Sequence, residues 1–296
     1  MKNRVISFGV MILALVTLLN GCSNVSKASD TINLPKGESK GQAEFTLSAS
    51  LTDVPNNLLS YRIVHPIVTH ESVATIGAKL GFFGEAATID SSIIGMSKTG
   101  LNEILWINAK TGALEYTCVD KLIQTNSNLP GNDESLKIAT EYLKQAGLWF
   151  PDIEAEMPIV GGATNGVPSH LLVRFTRSID GIPTTGPGNK LGIRIGDQGQ
   201  VIRIQMWHPE LEIYKNIEII GPLAAFNNLE AAGGQTVVPT ECNSVVIEDI
   251  SLGYYMPGTN ETQEYVMPVY IFKGKCLDEK GDCLQDYLFW VEAARK

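Results

Sequence analysis

Three arginines stand inside apolar runs that alternate residue by residue. Arg174 lies in Leu171-Leu172-Val173-Arg174-Phe175, Arg194 in Leu191-Gly192-Ile193-Arg194-Ile195, and Arg203 in Ile202-Arg203-Ile204-Gln205-Met206. Neighbouring residues of a strand point to opposite faces. The alternation therefore places Val173, Ile193 and Ile204 on a core and Arg174, Arg194, Arg203, Gln205 and Trp207 on the other side. If these strands are neighbours, three guanidinium groups share one open face. A guanidinium forks onto a carboxylate, and arginine and tryptophan are enriched where partners bind tightly. The alternative is that the arginines pair with glutamates of a neighbouring element or only solubilise the sheet. A free strand edge, to which an extended peptide could add, is a second candidate.

The sequence lacks the common catalytic and metal-binding motifs. His70-Glu71 is followed by Ser72-Val73-Ala74, so the second histidine of H-E-x-x-H is missing. His65, His70, His170 and His208 are scattered and are expected in loops or at the surface rather than as metal ligands. There is no G-x-S-x-G elbow and no S-x-x-K pair. Gly186-Pro187-Gly188 has Leu191 where a G-x-G-x-x-G loop needs its last glycine, and a Walker A loop is missing too. Glu154 and Glu156 are expected to be solvated, since spacing alone does not make an acid/base pair. The expectation is a non-enzymatic protein with no catalytic residue, metal or cofactor.

The chain of 296 residues carries 23 Lys and Arg against 32 Asp and Glu, a net charge of -9. An acidic surface repels phosphate backbones, which argues against a nucleic-acid partner. With 44% hydrophobic residues it can bury real cores. Lys2 and Arg4 precede the apolar run Val5 to Leu19, which ends in Leu19-Asn20-Gly21-Cys22. This layout resembles a bacterial lipoprotein signal, with Cys22 as the lipidated residue. The run is short of the roughly 20 residues that cross a bilayer. Ser23 to Lys40, rich in Ser, Asn, Lys and Gly, reads as a flexible tether.

With Cys22 lipidated, Cys118, Cys242, Cys276 and Cys283 remain, an even number in an oxidising compartment. Cys276 and Cys283 bracket a polar stretch that suits a hairpin loop, where a disulfide could staple two strands. Cys118 and Cys242 would then pair by elimination. Four cysteines allow three connectivities, and some or all could stay reduced.

Three segments have helical spacing: His70 to Leu80, Asp133 to Ala146 and Pro222 to Ala232, each ended by glycine. Asn132 or Asp133 can cap the second. Each is followed by strand-like runs: 87–95, 103–108 and 114–119; then 170–178, 190–195 and 201–207; then 245–256, 264–272 and 285–292. The expectation is an α+β fold of tandem small repeats, each a helix packed on an antiparallel β-sheet. The division would be a signal peptide over 1–21, a tether over 22–44 and repeats over 45–130, 131–215 and 216–296.

The middle block, from helix Ser135–Gly147 through Val173 to Ile179-Asp180-Gly181-Ile182-Pro183 and on to Gly199-Gln200-Val201, resembles PepSY-type repeats. So does the closing segment Tyr265 to Phe272, preceded by Tyr254-Tyr255. Such repeats occur in propeptides of thermolysin-like metalloproteases and in membrane-tethered regulators of the YycH/YycI group, which act on sensor kinases. The resemblance implies a lipid-anchored, extracytoplasmic protein that acts by binding a sensor or a protease at the envelope. An envelope hydrolase with an unconventional site and a purely structural lipoprotein are the other expectations.

Overall fold

The computed structural model describes residues 43–98, 102–122, 128–164, 167–189, 191–231, 238, 241–259 and 264–295. Met1 to Gln42 lie outside it, and with them the expected signal peptide, the expected lipidation residue Cys22 and all of the expected tether but Ala43 and Glu44, the latter opening β1.

Each predicted helix is present. Helix α1 (His70–Lys79) begins with a reciprocal cap, in which Thr69 and Ser72 each accept from the other's backbone N–H. Helix α2 (Asn132–Gln145) is capped by Gly131, not by Asn132 or Asp133; Ser135 Oγ donates to the Gly131 carbonyl at 2.8 Å. Asp133 and Glu134 in its first turn and Lys144 in its last suit the helix dipole. Helix α3 (Pro222–Ala231) starts on proline, whose missing N–H costs nothing at that position. Val119–Leu122 adds a single helical turn.

The strands overturn the expected architecture. They are β1 (Glu44–Leu47), β2 (Asn57–Val64), β3 (Ala87–Asp90), β4 (Ile93–Lys98), β5 (Glu103–Asn108), β6 (Leu114–Cys118), β7 (Ile153–Ala155) and β8 (Ile159–Thr164). There follow β9 (Val167–Ile179), β10 (Ile182–Thr185), β11 (Leu191–Ile195), β12 (Val201–Met206), β13 (Glu210–Glu218), β14 (Ser244–Tyr255), β15 (Tyr265–Leu277) and β16 (Cys283–Glu292). All belong to one 16-stranded mixed sheet with a main path β13-β2-β15-β14-β10-β9-β11-β12-β6-β5-β4-β3. The remaining strands flank it: β1 on β14, β16 on β15, and β7 and β8 on β9. The chain is thus predominantly sheet with few helices, not an α+β series of helix-on-sheet repeats.

Two pairings join strands that fall in different expected repeats. Strand β6 joins β12 antiparallel, with Ile204 opposite Tyr116 and Gln205 opposite Glu115. Strand β10 joins β14 parallel, with Thr184 opposite Tyr254. A sheet edge carries unpaired N–H and C=O groups, and joining edges satisfies them.

Merging the strands also merges the cores. Met96, Leu105, Tyr116, Ile204, Ile193 and Val173 are successive register partners across β4, β5, β6, β12, β11 and β9. All six are buried, and Val73 of α1 and Ala139 and Leu143 of α2 belong to the same core. Helix α3 packs on β1 and β16 over a second core that includes Phe226, Leu229, Phe272 and Phe289.

The Asp180-Gly181 pair links β9 to β10 as a tight hairpin turn, with φ +50° and +79°. Tyr61 of β2 donates its hydroxyl to the Asp180 carboxylate, docking the turn.

The cysteine expectation is corrected as well. Cys242 pairs with Cys276, with Cα atoms 5.5 Å apart. Cys283 lies opposite Leu277, the residue after Cys276, because the ladder shifts register there. Successive strand residues face opposite ways, so Cys276 points into the second core while Cys283 is exposed. Cys118 is buried in the first core, away from Cys242 in the second, and takes part in no disulfide.

Candidate binding face

Because Val173, Ile193, Ile204 and Tyr116 turn toward α1 and α2, their strand neighbours turn the other way. Register sets those neighbours in two rows. One runs Arg174, Gly192, Gln205, Glu115, Trp106; the other runs Leu172, Arg194, Arg203, Thr117, Ile104. The three arginines expected to share a face do share it. Arg194 and Arg203 are directly opposite each other, and Arg174 sits one step along on β9.

Directly opposed like charges on neighbouring strands are unfavourable unless something compensates them. Glu115 compensates in part. It accepts from Arg203 Nη2 at 2.7 Å and from Gln205 Nε2 at 3.4 Å. Arg203 Nε is buried without an acceptor among the described residues. Arg194 is half-buried and makes no ion pair among the described residues. Burial lowers its pKa, and the Arg203 charge lowers it further. Two guanidinium groups therefore share one carboxylate. Arg174 is exposed.

His170, expected in a loop or at the surface, is buried in β9 beside this pair. Burial, then the charges of Arg194 and Arg203, push it below its ordinary value. It is therefore neutral at pH 7, with Nδ1 at 2.9 Å from Ser169 Oγ. Gly161 of β8 faces the ring so closely that a Cβ there would stand 2.5 Å from Nε2.

Trp207 does not belong to the face and is corrected here. It follows the end of β12, is buried, and donates its indole N–H to the Thr111 carbonyl at 3.0 Å. The tryptophan on the open side is Trp106, half-exposed and in register with Glu115. It was hidden because Ile104-Leu105-Trp106-Ile107 is apolar at every position, so the run has no visible alternation. Glu115 and His170 had a usable signal: at strand period two Glu115 shares a face with Thr117, and His170 with Leu172 and Arg174.

Strand edges are present too. Strand β13 ends the main path and carries Glu210, Glu212, Lys215 and Glu218. Strand β8 is uncharged, with Val160 63% exposed and Ile159 44% exposed.

An Asp–His pair lies elsewhere. Asp152 accepts from His208 Nε2 and Arg177 Nε, both at 2.8 Å, while Phe150 stacks on the His208 ring at 3.7 Å. Among the described residues no hydroxyl or thiol hydrogen-bonds to His208. Arg177 also donates to the Pro209 carbonyl, so the group clasps the segment before β7 to that after β12. No group of three or more metal-ligating side chains occurs among the described residues. No helix among them is long and apolar enough to cross a membrane.

The arrangement is thus a cationic, half-desolvated patch on an acidic protein, suited to holding an anion. A crystal structure of an uncharacterized protein from Eubacterium rectale shares the fold, with a TM-score of 0.52 and 11% identity over 86% of this chain and 91% of that one. The Bacillus megaterium YpeB C-terminal domain is a looser structural neighbour, with a TM-score of 0.39 and 11% identity over 75% of this chain and 98% of that domain. No family model matches the sequence, and no curated protein matches it.

Proposed function

We propose that the protein is a lipid-anchored, extracytoplasmic binding module, without enzymatic activity of its own, that regulates a membrane sensor or a protease by protein contact. The observation that supports this reading is the open face on which Arg194 and Arg203 stand opposed, with Glu115 of the next strand the one carboxylate bonded to the pair among the described residues. Such a patch gains more from an acidic partner than from water, because charge-assisted bonds strengthen as water is displaced. The anchoring rests on the lipoprotein-like run ending at Cys22, and the regulatory role on the PepSY-type motif around Asp180-Gly181-Ile182-Pro183.

Crosslinking on intact cells tests it, using tagged wild type and the R174A/R194A/R203A variant. One envelope protein should be captured by wild type and lost in the variant. Capture that survives the variant would move the binding site to another surface. Failure to capture any partner across growth conditions would overturn the binding role.

A further inference from the structure

We propose that the Arg194–Arg203 pair is a receptor for a single carboxylate, presented by an acidic side chain that lies in an apolar stretch of the partner. This deepens the binding reading and rests on it. Three features of the face lead there.

The first is a charge mismatch. Arg203 donates Nη2 to Glu115, and Arg194 makes no ion pair with a carboxylate among the described residues. A half-buried cation with no carboxylate bonded to it is costly, and an incoming carboxylate lowers that cost while adding forked hydrogen bonds. Glu115, which also accepts from Gln205 and Thr117, bonds to Arg203 and only attracts Arg194 from a distance, so one carboxylate faces two guanidinium groups.

The second is the surroundings of the pair. Leu172 and then Ile159 continue its row on one side, and Thr117 and Ile104 on the other. Fully hydrated anions, such as free phosphate, gain little from such flanks. An acidic side chain with aliphatic neighbours fills them.

The third is selectivity. Arg194 and Arg203 against the one bonded carboxylate, Glu115, leave a single net positive charge to be met, and His170 beside them is pushed below its ordinary value by burial and by their charges. The chain as a whole carries a net charge of -9, so a partner segment with many carboxylates is repelled by the rest of the surface.

The test is NMR of the arginine Nε–H signals of the purified protein, titrated with a capped valine–glutamate–valine peptide, its glutamine counterpart, and inorganic phosphate. The Arg194 signal, identified by its loss in R194K, should shift with the glutamate peptide and not with the glutamine peptide. R194A should weaken binding by roughly tenfold or more, as expected for loss of a charge-assisted pair. R194K, which keeps the charge and loses the fork, should fall between. An unchanged thermal midpoint shows that either variant is folded. No shift at about 10 mM peptide, an equal response to the glutamine peptide, or a response to phosphate alone would overturn the proposal. Cell crosslinking is unaffected by such a failure, so loss of the carboxylate site and loss of the binding role are told apart.

Discussion

At the scale of single residues, burial and charge decide which groups ionise. Burial alone would raise the Asp152 carboxyl, but hydrogen bonds and charges from His208 and Arg177 outweigh it and hold it below the usual carboxylate range. Burial, then the Arg177 charge, push His208 below its ordinary 6.5, against the pull of Asp152. His208 still donates to Asp152 as a neutral ring protonated on Nε2. His170 is lowered in the same direction. All three groups bind fewer protons folded than unfolded, so their contribution is complete above the unfolded values and is lost as pH falls. The histidine share goes first, below about 6.5, and the Asp152 share only within the carboxylate range. We expect the denaturant midpoint of the wild type to fall from pH 7 to pH 5. H208Q, which keeps a donor for Asp152 but does not titrate, should fall less. Equal slopes would exclude His208 as a contributor.

Elements are held by rows of side chains rather than by single contacts. The row Met96-Leu105-Tyr116-Ile204-Ile193-Val173 crosses six strands beneath α1 and α2. Ile204 is 1% exposed and stands where β6 and β12 meet. Truncating it leaves a cavity at that seam, with a cost of about 2–5 kcal/mol. We expect I204A to lose that much stability in denaturant unfolding. The same truncation at Val160, on the exposed edge strand β8, should cost less than about 0.5 kcal/mol. Similar losses at the two sites would mean that the seam is not packed as described.

Across the whole molecule, two helices share one core, the third has its own, and the disulfide lies in the second. Cys242 and Cys276 are 34 residues apart in sequence. Closing a loop of that length restricts the unfolded chain and stabilises the fold by about 2–4 kcal/mol. The C242A/C276A variant should therefore unfold at lower denaturant, and reductant should lower the wild-type midpoint but not that of the variant. A reductant effect that persists in the variant would assign the bridge to other cysteines.

Local signals settled much of this protein before any contact was considered. The helices at 70–79, 132–145 and 222–231 follow from apolar spacing and flanking glycines, and strands such as 191–195 and 201–206 from strict alternation. That alternation also placed Arg174, Arg194 and Arg203 on one side. Strands β1, β2, β7, β8, β10 and β13 were not read as strands. Strands β1, β7, β8 and β10 are short and β13 is largely exposed, so they are defined by the strand they pair with; β2 does carry a signal, Leu59, Tyr61 and Ile63 alternating with Ser60 and Arg62. Which edges join, which cysteines meet and which tryptophan faces outward were decided only in the tertiary structure. Backbone hydrogen bonds between strands are alike whatever the side chains. The choice of β12 as the neighbour of β6 comes from burying Tyr116 and Ile204 together beneath the helices. No run of neighbouring residues contains that information.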